Sequence, residues 1–337
     1  MQLLLIWFEF LALIVVTGIS GYYLSVYAEI IAERTGLSRG WIGLILLGSI
    51  TSLPELFTGA SSVLFANTID IAMGDALGSC LFNMLIIVVL DFMCRKESVY
   101  TMAKQGHILS AGFGIILIGV VGFNIILFQN GTALAIGHVG VYTPLIIFIY
   151  LIAMRTIFRY EKDYKMEHAE TVAVEYEKAE TPHVFIKFSI AAFFCIATGI
   201  RLPFVGEAIS HAMGWDQAFI GSLFIAFATS LPEISVTISS LGIGAVDMGI
   251  GNLFGSNIFD IWIIAIDDLL YLKGPILSDI SSMHAITCFT GMMMTGVAII
   301  GLLYRPKIKI MKSVGWTSLF IFTLYMINTY YLFLFRK

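Results

Sequence analysis

The chain has 337 residues, 58% hydrophobic and only 12% charged, with a mean hydropathy of +0.92. A soluble domain carries about 25% charged residues to solvate its surface, so soluble domains and a disordered chain are both excluded. Nineteen basic against 23 acidic residues leave no basic face for phosphates, which excludes a nucleic-acid binder. About 20 apolar residues cross a hydrocarbon core as a helix. In that window the sequence predicts spans near 3–26, 40–64, 69–92, 105–128 and 139–157, then near 184–206, 216–241, 247–271, 281–303 and 314–335. The expectation is an all-α polytopic membrane protein of ten transmembrane helices, arranged as two inverted five-helix repeats. The first repeat covers 1–157, a polar linker 158–183, and the second repeat 184–337. The first span has no basic n-region and no small-residue cleavage site, so it reads as a span and not as a removable signal.

Basic residues orient these spans. Arg95, Lys96 and Lys104 follow the third span; Arg155, Arg159, Lys162, Lys165 and Lys178 follow the fifth; Arg305, Lys307, Lys309 and Lys312 follow the ninth. All three loops fall on one side, which the positive-inside rule makes cytoplasmic. Lys273 is the main exception, and Arg336 and Lys337 at the end weigh weakly against the assignment. Both termini are then non-cytoplasmic, and the setting is the cell membrane. The 158–183 linker carries Glu161, Asp163, Glu167, Glu170, Glu175, Glu177 and Glu180; it reads as solvated, because its carboxylates lack the spacing of a calcium loop. Cys80, Cys94, Cys195 and Cys288 lie in apolar stretches without ligand spacing, so neither a disulfide framework nor a zinc site is expected.

Sliding the chain by 178 residues aligns 21–63 with 199–241, pairing Gly21 with Gly199, Glu29 with Glu207 and Gly36 with Gly214. Thr51-Ser52-Leu53-Pro54-Glu55 recurs as Thr229-Ser230-Leu231-Pro232-Glu233. At an offset of 177, Asp70 and Gly74 pair with Asp247 and Gly251, and Gly78-Ser79-Cys80-Leu81-Phe82-Asn83 with Gly255-Ser256-Asn257-Ile258-Phe259-Asp260. Shared apolar composition does not put Pro, Glu, Gly and Ser in register. An odd number of spans per half inverts the second copy, the arrangement by which secondary transporters place one site at the midplane.

Glu55 and Glu233 each fall inside an apolar span, where an isolated charge is costly and needs a polar cavity. Pro54 and Pro232 remove backbone donors and free the carbonyls of Ile50 and Ala228. Thr51, Ser52, Thr229 and Ser230 add hydroxyls, so carboxylate, hydroxyl and carbonyl oxygens gather at each break. Hard oxygens of this kind suit calcium or sodium. Ser79 with Asn83, and Ser256 with Asp260, lie four residues apart on one helix face. Gly74, Gly78, Gly251 and Gly255 form small-xxx-small pairs, which let two helices approach closely and are expected to bring the helix bearing Ser79 and Asn83 near the one bearing Glu55. Glu29 and Glu207 repeat near span ends and read as interfacial.

On these blocks the chain resembles the cation/calcium exchanger superfamily, and most closely its prokaryotic sodium/calcium exchangers. The resemblance covers both halves and implies Thr51, Ser52, Glu55, Ser79, Asn83, Thr229, Ser230, Glu233, Ser256 and Asp260 as ion ligands. It also implies backbone carbonyls seven residues before each glutamate, at Gly48 and Ala226. Ile50 and Ala228 depart from the usual Gly before Thr, and Asp75 stands where Asn is usual while Asn252 keeps it. Asp75 is either an extra charge near the site or a packing change, and the packing reading is taken here.

Glu55 and Glu233 supply two charges, which one calcium or two sodium ions neutralise. Asp260 makes three, and three carboxylates close together do not all ionise in an apolar site. Since both ions need the same oxygens, binding one excludes the other, which is the physical basis of antiport. The function expected is sodium/calcium antiport by alternating access, with proton/calcium antiport as the close alternative and a channel or ion sensor as the alternative of another class. No nucleophile–base pair or nucleotide motif suggests an enzyme. No cofactor is expected beyond the transported calcium and sodium; the other expected partner is the bilayer, and the chain is expected to work as a monomer.

Overall fold

The computed structural model describes residues 2–34, 48–94, 97–132, 134–167, 181–242, 244–306, 309–310 and 314–335. Within a bilayer every backbone donor and acceptor must be satisfied inside the chain, and the described residues are accordingly almost all helical. In chain order they form α1 (Gln2–Arg34), α2 (Gly48–Thr51), α3 (Leu53–Ser61, continued by a π-turn Ser62–Ala66), α4 (Ile69–Met93), α5 (Val99–Met102) and α6 (His107–Gln129). A small hairpin, β1 (Ala135–Ile136) with β2 (Val139–Gly140), leads to α7 (Tyr142–Glu167) and α8 (Thr181–Met213). Then come α9 (Gln217–Ile220), a π-turn Gly221–Ile225, α10 (Ala226–Thr229), α11 (Leu231–Gly242), α12 (Val246–Leu270), α13 (Ile276–Asp279) and α14 (Met283–Tyr304). A second hairpin, β3 (Lys309–Ile310) with β4 (Val314–Gly315), precedes α15 (Trp316–Leu334).

Seven of these helices are long and apolar enough to cross a membrane, and the bent pair Gln217–Thr229 and Leu231–Gly242 makes up to eight. The expected count of ten goes beyond this. Helix α12 also has the length, and it lies almost wholly buried with six polar residues inside: Asn252, Ser256, Asn257, Asp260, Asp267 and Asp268. The expected span 40–64 begins outside the described residues, which also leave out Gly36, residues 168–180 of the 158–183 linker, and Arg95, Lys96, Lys178, Lys307 and Lys312. The first ten residues assigned to that linker are not loop: α7 continues through them to Glu167.

Two helices form the centre. In α4 every residue from Ile71 to Met84 is buried, and in α12 every residue from Gly249 to Ile261; a helix covered all round is a core helix. By contrast α1 faces outward over much of its length, exposing Leu4, Phe8, Leu11 and Ile19. The helix breaks fall at Ser52 and Ser230, each followed by Leu-Pro. A proline at the second position of a helix costs no hydrogen bond, because that N–H has no partner in any case. The second break bends its pair by 44°.

The halves pack by exchange. Gly21 of α1 lies directly on Pro232 of α11, and a Cβ on Gly199 of α8 would stand 2.8 Å from the Pro54 carbonyl of α3. The ends of α4 and α12 are tied the same way. Asp70 accepts from the Ser281 backbone at 2.7 Å and lies 3.0 Å from His284 Nε2. Asp247 accepts from the Lys104 backbone at 2.8 Å and lies 2.7 Å from His107 Nε2. At the other helix end, Asp91 takes hydrogen bonds from Ser98, Val99 N, Gly315 N and Ser318 at 2.7–3.0 Å. Asp268 takes them from Gly140 N, Ile276 N, Thr143 and Tyr142. Asp91 and Asp268, like His107 and His284, stand 177 residues apart.

Candidate ion-binding site

The two breaks and the middles of α4 and α12 meet at the centre of the bundle. All twelve residues anticipated as ligands are buried there: Gly48, Thr51, Ser52, Glu55, Ser79, Asn83, Ala226, Thr229, Ser230, Glu233, Ser256 and Asp260. Each break ends a short helix with a serine whose N–H bonds back four residues, Ser52 to the Gly48 carbonyl at 3.4 Å and Ser230 to Ala226 at 3.0 Å. The next helix then starts with the glutamate in its first turn.

Ten of the twelve form two hydrogen-bonded networks of five residues, one around each glutamate and each drawn from both halves; in the Glu55 network Ser79 also meets Thr229 at 3.5 Å. Glu233 Oε1 accepts from Ser52 at 3.1 Å and from Ser256 at 3.2 Å. Glu55 Oε1 receives Ser79 at 3.5 Å, and Ser79 receives Ser230 at 3.1 Å. Thr51 reaches Ser256 at 3.3 Å, Ser256 donates to the Gly48 carbonyl at 3.3 Å, and Thr229 donates to the Ala226 carbonyl at 3.3 Å. Asn83 and Asp260 sit beside these networks: Asn83 Nδ2 donates to Asn257 Oδ1 at 2.9 Å, and Cys80 Sγ lies 3.9 Å from Asp260 Oδ2.

Asp75, taken above as a packing change, hydrogen-bonds a residue anticipated as a ligand. Its Oδ1 accepts from Thr229 at 2.8 Å, while Thr51 donates to Asn252 at 3.3 Å. The two repeat-related pairs therefore do the same thing across the halves, once with a carboxylate and once with an amide. The helix bearing Ser79 comes near the one bearing Glu55 as expected, but the glycines themselves also meet the other half. A Cβ on Gly78 would stand 2.6 Å from the Ser222 carbonyl and 2.8 Å from Ala226 Cβ, and one on Gly48 3.0 Å from the Gly255 carbonyl carbon. The close approach at these glycines is thus between α4 and the broken helix of the other half, and between α2 and α12.

What remains unpaired defines the chemistry. Among the described residues, Glu55 Oε2, Glu233 Oε2, Asp260 Oδ1, Asp75 Oδ2 and Asn83 Oδ1 are buried oxygens without a hydrogen-bond donor. Glu55 feels the charges of Glu233, Asp75 and Asp260, and no ion pair found among the described residues involves any of the four. No three His, Cys, Asp or Glu side chains there are gathered closely enough to hold a metal by themselves. The donor set is two glutamates supplemented by hydroxyls and carbonyls, which fits a hard cation and not a soft one. Cys80 and Asn257 escaped the sequence reading, since one cysteine in an apolar run carries no ligand signal. Asp91 and Asp268 were findable from the 177-residue offset.

A helical bundle with apolar outer helices and a buried carboxylate-hydroxyl core is a multi-pass membrane protein built to handle ions. The chain belongs to the sodium/calcium exchanger protein family, which it matches over residues 5–158 and 184–334. It is therefore a membrane exchanger, a transporter and not an enzyme. Among related sequences, the Escherichia coli inner membrane protein YrbG is 25% identical over 244 residues, covering 70% of this chain and 71% of YrbG. The sodium/calcium exchanger MaX1 of Methanosarcina acetivorans is 41% identical over a 63-residue stretch, 18% of each chain. A solved structure of the sodium-calcium exchanger NCX_Mj, soaked with Na+ and Sr2+, superposes with a TM-score of 0.63 at 19% identity, over 96% of this chain and 98% of that one. That likeness establishes the fold.

Proposed function

We propose that the protein exchanges sodium for calcium by alternating access at the buried cage, with Glu55 and Glu233 as its charged ligands. Ser52, Ser79, Ser230, Ser256, Thr51, Thr229, Asn83 and Asp260 complete the donor set, with the carbonyls of Gly48 and Ala226. The observation that carries this reading is the repeat-related pair of glutamates, each buried with one oxygen bonded and the other unpaired. An unpaired carboxylate oxygen in an apolar core is costly and calls for a cation. Two such charges match one calcium or two sodium ions, so the ions compete for the same oxygens. Neutral hydroxyls around them favour sodium over a proton, which has no use for a ligand shell.

The reading includes ten spans in two inverted copies, with the basic loops on the cytoplasmic side of the cell membrane and both termini on the other, in a chain that works as a monomer. The repeat-related ties at Asp70, Asp247, Asp91 and Asp268 support a twofold relation between the halves, because each pair makes reciprocal contacts at the same end of its helix. Calcium uptake into proteoliposomes under a sodium gradient tests the coupling. Uptake driven equally well by a pH gradient without sodium replaces sodium with protons in this scheme.

A further inference from the structure

Outside the cage, one buried charge has no partner. Asp267, in the last turn of α12, is fully buried, and neither carboxylate oxygen has a hydrogen-bond donor among the described residues. Its neighbour Asp268 is saturated by four donors. Buried polar groups in native proteins are almost always satisfied, and an unsatisfied one points to a missing ion or water. The carboxylate is aimed at the backbone of α3: a Cβ on Gly59 would stand 2.5 Å from Asp267 Oδ2 and 2.8 Å from Oδ1. Gly59 therefore leaves the room that the carboxylate occupies.

The place of this group follows from helix geometry. Gly59 is four residues beyond Glu55, on the same face of α3, and Asp267 is seven beyond Asp260, on the same face of α12. At 1.5 Å per residue, Asp267 lies about 10 Å along the α3–α12 seam from the cage, toward the membrane face where α12 ends. Ser62, three residues past Gly59 on that face of α3, is also buried with an unpartnered hydroxyl. Asp75 acts on Asp267 electrostatically from α4. The repeat-related positions toward the opposite membrane face are Leu90 and Asn252, both buried and uncharged. The seam toward one membrane face carries a bare carboxylate, and the repeat-related position toward the other carries Leu90.

We propose that Asp267 is an outlying cation station, holding a monovalent ion, sodium, on the route between the cage and the face where α12 ends. One carboxylate carries one charge, which a monovalent ion neutralises; a divalent ion there leaves surplus positive charge in a low-dielectric seam. The proposal rests on the reading of the cage as a cation site. It makes the exchanger asymmetric: sodium reaching the cage from this face is concentrated at the station first, and sodium from the other face is not.

The test uses the purified full chain. Equilibrium binding of radioactive sodium in lipid nanodiscs counts ions, and sodium-dependent calcium flux in proteoliposomes of known orientation gives the half-saturating sodium on each face. Asp267→Asn removes the charge, and Gly59→Ala displaces the carboxylate without altering it. Each variant is expected to lose a bound sodium and to raise half-saturation about five- to fifteenfold on the face where α12 ends, with the opposite face unchanged. An unaltered sodium count with unaltered half-saturation overturns the proposal, and so does an equal change on both faces. If the wild-type protein performs no sodium/calcium exchange, the reading of the cage fails, while the sodium count with and without Asp267 still decides the station.

Discussion

Replacing Glu233 by Gln removes one charge and almost nothing else. Glu233 Oε1 accepts from Ser52 and Ser256 at 3.1 and 3.2 Å, and a glutamine carbonyl oxygen can accept both. The fold should therefore tolerate the change. A cation seated ~4 Å from the carboxylate, at an effective dielectric near 20, gains about 4 kcal/mol per unit of ion charge, so calcium loses about 8 kcal/mol of attraction. An amide is cheaper to bury than a carboxylate, which returns several kcal/mol. The net loss is about 3–4 kcal/mol, on the order of a hundredfold to a thousandfold in calcium affinity. Glu55→Gln should behave alike. The assay is sodium-driven radioactive calcium uptake at matched protein per vesicle, beside a thermal unfolding curve of each variant. Near wild-type uptake in both variants refutes the placement of the charged ligands, and a collapsed melting curve refutes the claim that the site is separable from the fold.

Asp260→Asn copies its repeat partner Asn83 and should retain sodium-dependent uptake, whereas Asp260→Ala should lose most of it; an Asn variant as inactive as Glu55→Gln shows that the charge is obligatory. Gly78→Ala drives a methyl onto the Ser222 carbonyl and Ala226 and should destabilise the protein by about 1–3 kcal/mol, read as a lower unfolding midpoint in detergent. Asp268→Asn leaves donors from four residues competing for one carbonyl oxygen and should cost about 3 kcal/mol; an unchanged midpoint rules out Asp268 as a structural tie.

The sequence made the membrane class and the repeat plain, because Thr-Ser-Leu-Pro-Glu recurs in register where apolar residues alone would not. The residues around the cage were readable for the same reason. Partners across the halves were not. Helical spacing tells which residues share a face but not which helix covers it, so Gly78 could not be assigned to Ser222 and Ala226. The hydrogen bond of Asp75 could not be read either, because its donor Thr229 is 154 residues away. Asp267 and Asp268 look alike in sequence, yet one is saturated and the other bare. The α7 helix outran its expected end because charged residues such as Glu161 and Lys162 suit a helix that projects beyond the bilayer.

The four aspartate ties also govern how the molecule can be assembled. Asp91 takes donors from residues 98 and 99 of its own half and from 315 and 318 of the other. Asp268 does the reverse with 276, 140, 142 and 143. Asp70 and Asp247 each find their histidine in the opposite half. During synthesis the first half emerges with Asp91 and Asp70 short of their partners, and only the arrival of the last hairpin and α15 completes Asp91. Neither half is a finished piece by itself. Each is instead the template on which the other closes, so two fragments severed between α7 and α8 and made in the same cell should recognise each other and reconstitute the whole.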